Sequence, residues 1–326
     1  MITGTTAPAR EVTGKAPGGM WWVAWRQHRT LVLSGLGLML VVAVAMVVFR
    51  LIYDGRPPGG PDHAEDNRFW LWLRLSLLVL PIGLGALGGA MVVGPDRERG
   101  TTLFAFGQGV GRSRWYWTKC AVVVAPLTMG VLALGLVAQW VVTAPGLEPW
   151  SPFAVPDFQT TGTVPAILTV MAFGIGVPAG VLVRSLAAAM SLAIVVGTVL
   201  IGALGFGAYI DLVPSARILS PVTEEYQVGP ADAYQVGFGY LDAAGVTVVA
   251  PSCPLQSESM PDDGPPPDPE AWWRQCLVEA GVVANYGDYV LADLRTRLTL
   301  TLAGIGTAVA AAGLGLGWWR IRRPIR

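Results

Sequence analysis

Six runs of about 20 consecutive apolar residues punctuate this chain, at 30–49, 75–93, 121–142, 163–183, 186–208 and 298–319. Each is long enough for a helix to cross the roughly 30 Å of hydrocarbon in a bilayer. Charged residues are confined to the connections, with Arg74 at the edge of the second run. The pattern predicts an all-α membrane protein of six transmembrane helices with no charge inside any span. Pro81, Pro126, Pro165 and Pro178 fall within the runs, where proline bends a helix. Glycines recur four apart as Gly85/Gly89, Gly176/Gly180 and Gly313/Gly317, a spacing that lets membrane helices approach closely.

The connections differ in kind. Residues 1–19, rich in Thr, Ala, Pro and Gly, predict a disordered tail. In 20–29, Trp21, Trp22 and Trp25 are spaced to share one helical face, with Arg26 and Arg29 opposing them. A basic amphipathic helix with indoles at headgroup level predicts an in-plane elbow helix, the alternative being anchors that simply flank the first span. Spans one to five then occupy 30–208, interrupted by a polar segment at 94–120 and a tight turn at 184–185. Residues 209–293 form a mixed extracytoplasmic insertion, with a short strand near 246–250 and a helix over 269–281. The last span and a basic tail fill 294–326.

Composition agrees: 53% of residues are hydrophobic and 13% charged, against about 25% charged in soluble domains. A net charge of zero hides a separation. Of the 22 basic residues, 14 fall in 1–29, 94–120, 184–185 and 320–326, beside 3 of the 22 acids. Lys and Arg accumulate on the cytoplasmic side, so both termini are expected there, in a multi-pass protein of a bacterial inner membrane.

Several chemistries lack their residues. The two histidines, His28 and His63, fall outside the apolar runs and cannot form a His-Glu-x-x-His zinc site or serve a serine protease buried in the membrane. No Gly-x-x-x-x-Gly-Lys-Ser/Thr loop is present, so the chain carries no ATPase site of its own. No catalytic or metal-binding residue is expected, and no nucleic acid as partner. Ion-coupled transporters bury ionisable groups in their spans. The spans here offer neutral polar groups, so energy is expected from elsewhere. Ser76, Thr128 and Gln139 are polar candidates for a substrate path, each better explained by a helix-to-helix hydrogen bond. Cys120, at the inner end of the third span, reads as a buried apolar residue. Cys253 and Cys276 both lie in the outer insertion, where an oxidising compartment permits a disulfide.

The sequence 22–29, Trp-Val-Ala-Trp-Arg-Gln-His-Arg, resembles the opening of actinobacterial type-2 ATP-binding-cassette (ABC-2) exporter permeases. Glu98-Arg99-Gly100-Thr101, with Gln108, Arg112, Arg114, Trp115 and Lys119, is similar to their segment after the second span. The resemblance implies that Trp21, Trp22, Trp25, Arg26 and Arg29 form an elbow helix on the inner leaflet. It also implies that 94–120 couples to a separate ABC ATPase subunit. In that segment Gly100 would end one helix and Thr101 or Thr102 cap the next. Leu103, Phe104 and Phe106 would form an apolar contact strip, and Glu98, Arg99, Arg112 and Arg114 would supply charge. One such chain is half of an exporter; a second copy or a paralogue completes the path, and the partner ATPase binds ATP and Mg. The competing class is a non-transporting sensor or immunity scaffold whose outer domain binds a ligand.

Overall fold

The computed structural model describes residues 19–54, 63–101, 111–143, 153, 157–205, 215–222, 233–249, 269–291 and 293–323. It is mostly helical. Long helices run over α1 (Gly19–Asp54), α2 (His63–Glu98), α3 (Arg112–Val141), α5 (Val164–Leu182), α6 (Leu186–Gly205) and α8 (Leu294–Arg322), with short helices α4 (Asp157–Thr160) and α7 (Pro269–Glu279). Among the described residues, six helices are long and apolar enough to cross a membrane. The chain is a helical membrane protein. Tryptophans mark both ends of the bundle: on α3, Trp115 and Trp140 lie about 37 Å apart along the axis, close to the span between two headgroup regions.

α5 is the most enclosed span, packed against α2, α8, α6 and α3, and α2 also meets α6, α3 and α1. Close packing of α2 on α5 depends on missing side chains. A Cβ on Gly89 would overlap Phe173 O, and one on Gly176 would overlap Ala86 O. α8 meets α5 in the same way, since a Cβ on Gly313 would overlap Gly174 O. Where backbones approach this closely, dispersion contacts hold helices that the hydrophobic effect cannot drive together inside lipid. Leu77, Leu127, Leu134, Phe173 and Met46 fill the larger gaps. Pro81, Pro126 and Pro178 all lie inside helices.

Two expectations are corrected. Residues 20–29 are not a separate helix: α1 is unbroken from Gly19 to Asp54. No glycine or proline lies between Met20 and Ser34 to break it. At about 54 Å, α1 exceeds the bilayer, so its first turns emerge from the hydrocarbon. Nor do Arg26 and the indoles oppose each other, because the Arg26 guanidinium lies 5.3 Å from the Trp22 ring centroid. The second correction concerns charge. α2 continues through Arg74, which pairs with Asp157 of α4. Both side chains are largely buried, at 15% and 5% exposure. A hydropathy run stops at an arginine, but an arginine neutralised by a distant carboxylate lets the helix continue.

The connection after α3 does not stay outside the bundle. Residues Asp157–Thr160 and Thr161 are buried, the Thr161 hydroxyl donates to Asp157 O at 2.7 Å, and Arg295 of α8 donates to Thr161 Oγ1 at 3.0 Å.

Beyond this end sits a four-stranded antiparallel sheet, β1 (Ala216–Pro221), β2 (Ala233–Asp242), β3 (Thr247–Val248) and β4 (Val282–Leu291), in order β1-β4-β2-β3. α7 packs on it through Leu277 against Val222, Tyr240 and Val282, and burial there pushes the Tyr240 phenol up from its ordinary value. Gly281, with φ of 81°, supplies the left-handed residue that turns α7 into β4. Arg217 holds Asp288 by two hydrogen bonds, 2.8 and 2.9 Å, and covers the Tyr286 ring. Phe153 and Tyr234, 5.9 Å between centroids, join the sheet to the bundle.

Candidate functional site

At the opposite end from the sheet, α2 stops in a defined way. Gly100 adopts φ of 68°; its N–H donates to Arg97 O at 3.2 Å, and the Thr101 N–H reaches back to Asp96 O at 2.9 Å. This Schellman closure satisfies carbonyls that the helix end would otherwise leave open. Thr101 therefore finishes the helix behind it, its hydroxyl also lying 3.4 Å from Asp96 Oδ1. Its expected role as a cap for the next helix, shared with Thr102, falls on 102–110, which lie outside the described residues. Leu103, Phe104 and Phe106 lie outside the described residues, as does Thr102.

The chain re-enters at Gly111 and α3. Lys119, about two turns inside α3, is almost wholly buried and pairs with Asp96. Its ammonium also lies 4.4 Å from the Trp115 ring centroid. A buried lysine needs a counter-ion, and the acid at the end of α2 supplies one. The two ends of the segment are thereby fastened together. Glu98, Arg99, Gly100 and Thr101 are exposed on one side of the closure and Arg114 on the other. Arg112 does something else. Its guanidinium donates to Ile321 O and Arg322 O, at 3.4 and 3.2 Å, capping the last turn of α8 where a cation opposes the negative helix end. At the same end, Arg322 and the C-cap residue Arg323 lie over the rings of Trp318 and Trp319.

Beside the ion pair lies a cleft of about 540 Å³ between α1, α2, α3 and the start of α6. Gln27, His28, Asp96, Arg99 and Lys119 give it polar walls, while Leu31, Met91 and Leu186 give it apolar ones. Trp21, Trp22, Trp25, Arg26 and Arg29 are exposed around the start of α1, whereas Ala24, His28 and Val32 form its buried stripe.

The three polar candidates for a substrate path are not gathered at this cleft. The Ser76 hydroxyl donates to Leu73 O at 2.6 Å within its own helix. Thr128 Oγ1 is buried without a hydrogen-bond partner. Gln139 lies against Gly162, where its Oε1 would be 2.9 Å from an added Cβ. Cys120 is buried and free. Cys276 lies on α7, and Cys253 is outside the described residues. Among the described residues no three of His, Cys, Asp and Glu converge as metal ligands.

Sequence reasoning missed the Asp96–Lys119 and Arg74–Asp157 pairs and the burial of His28. A signal existed for the first, since an acid and a lysine bracket a segment otherwise dominated by arginine. Because these charges sit at the ends of spans, the inference of an external energy source from uncharged spans loses its premise.

Residues 62–206 match the family described as ABC-2 membrane transporter related. The match covers α2 to α6, including the α2–α3 connection, and is less than half of the 326 residues. The similarity is to a membrane component of ABC-2 transporters. No curated protein and no solved structure matches the chain.

Proposed function

We propose that this chain is the permease subunit of an ABC-2-type exporter, forming half of a translocation path and driven by a separate ATPase that binds ATP and Mg. The observation that carries the proposal is the family match over 62–206, whose interior contains the α2–α3 connection. The geometry is compatible with coupling. Exposed Glu98, Arg99 and Arg114 stand at the mouth of a connection whose two roots are tied through Asp96 and Lys119, so a force on the connection reaches α2 and α3 together. α2 is also closely packed on α5, through Gly85, Gly89 and Gly176. Displacement of α2 would therefore be passed on to the rest of the bundle, since tightly packed cores move as units.

In this reading the basic end of the bundle is cytoplasmic, both termini included, and the sheet lies outside. A second copy or a paralogue supplies the other half of the path. Arg112 acts by holding α8 to the root of α3, and 20–29 anchors α1 at headgroup level. Cys253 and Cys276 form a disulfide in the outer domain.

The test is co-expression with a candidate ABC ATPase, one encoded beside this gene being the first choice. Tagged permease should retain the ATPase through detergent extraction, and the pair should hydrolyse ATP in liposomes. A permease that purifies alone, next to a gene for a kinase or regulator, would favour the sensor class.

A further inference from the structure

The cleft beside Asp96 and Lys119 has a property that ATPase coupling does not require. His28 is 7% exposed and its Nε2 has no hydrogen-bond partner. A buried, orphaned ring nitrogen is costly unless something completes it. It lines the same cleft as Gln27, Ser34 and Arg99. Lys119 and Asp96 neutralise each other there, so Arg99 leaves the cleft with net positive charge. The Ser34 hydroxyl points at its own helix, donating to Leu31 O at 3.1 Å, and keeps its lone pairs for another donor.

The opposite wall is apolar, with Leu31, Met91 and Leu186. From there exposed apolar side chains continue along α1, at Leu38 and Val41. The cleft lies at the depth of Trp22, Trp25, Trp115 and Trp117, the level at which indoles favour lipid headgroups. A site with a cationic, hydrogen-bonding mouth and an apolar trough is built for an amphiphile. A free anion would leave the trough unfilled.

We infer that this cleft binds an anionic membrane lipid, its phosphate against Arg99 and His28 and an acyl chain against Leu31, Met91 and Leu186 and on along α1. His28 donates from Nε2 to a phosphate oxygen, and the Arg99 guanidinium supplies the charge. The bound lipid lies beside the Asp96–Lys119 pair and so at the root of the proposed coupling segment. Lipid composition would then bear on the stiffness of that root. The binding itself depends only on the chain being embedded in a bilayer.

The test uses the purified full chain in phosphatidylcholine nanodiscs containing spin-labelled phosphatidylglycerol or spin-labelled phosphatidylcholine, with no ATPase present. The expected result is a motionally restricted phosphatidylglycerol population in preference to phosphatidylcholine. Arg99→Gln and His28→Leu should each reduce that preference by about tenfold, the loss of one charge-assisted hydrogen bond. Soluble glycerol phosphate in excess should not displace the lipid. His28→Leu should also raise the unfolding temperature in lipid-free detergent, because it removes an unsatisfied buried nitrogen, an effect that a residue with a purely structural role would not give. Equal restriction of the two lipids, an unchanged preference in Arg99→Gln, or displacement by glycerol phosphate would each overturn the inference. Since no ATPase takes part, those outcomes are independent of the transport reading.

Discussion

Lys119 on α3 donates to the carboxylate of Asp96 at the end of α2, and the pair closes the base of the α2–α3 connection. Lys119 is 1% exposed and Asp96 20%. Removing one partner of a buried pair leaves an uncompensated charge and costs about 3 kcal/mol. Lys119→Met should therefore lower thermal stability in detergent by that order, and Asp96→Asn with Lys119→Met should recover most of it. A single Lys119→Met as stable as the parent would show that the pair is not a fastening.

Arg74 and Asp157 form the corresponding contact at the other end of the bundle. Their coupling in a double-mutant cycle with Arg74→Gln and Asp157→Asn should reach about 1.5 kcal/mol or more, read from unfolding in detergent. Additive effects of the two substitutions would place the residues apart.

Glycine substitutions should split by position. Gly89→Ala and Gly176→Ala force α2 from α5 and should cost about 1–3 kcal/mol, the usual penalty of overpacking. Gly37, on α1, meets nothing within 4 Å of an added Cβ. Gly37→Ala should be neutral or slightly stabilising, because alanine restricts the unfolded chain. Equal effects at Gly37 and Gly89 would remove the close-packing explanation.

The six spans were legible because an apolar run of about 20 residues is a local signal that needs no knowledge of neighbours. Gly281 as a helix stop was legible for the same reason. The length of α2 was not: Arg74 ends any hydropathy window, and only Asp157, far along the chain, neutralises it. The sheet was largely hidden as well. β2 carries Gly237 and Gly239 among its aromatics, and β4 carries Gly287, so the two strands show no clean apolar alternation. At the candidate site, Gly100 could be read from sequence as a helix end, whereas the Asp96–Lys119 pair and the burial of His28 depend on how α1, α2 and α3 meet. Arg112 looked like one more surface charge of the segment because nothing local signals that α8 ends beside it.

The proposed disulfide is checked by alkylation. Without reductant, Cys253 and Cys276 should resist a maleimide reagent even after unfolding in denaturant, and reduction should release two thiols. Closing a loop of about 22 residues stabilises by roughly 3 kcal/mol in the chain-entropy account, so reduction should also lower the stability of the outer domain. Modification of both cysteines without reductant would rule the bridge out.

Coupling to an ATPase is tested most directly by replacing Glu98 with a photo-reactive benzoylphenylalanine in cells that also carry the candidate ABC ATPase. Glu98 is exposed at the closure of α2, and irradiation should join it to the ATPase subunit. The same residue placed at Val249, 93% exposed next to the sheet, should give no such product. An ATPase adduct from Val249 and none from Glu98 would contradict both the orientation and the coupling role. Absence of the adduct from both positions, in a complex that still hydrolyses ATP and transports, would move the contact away from the α2–α3 connection.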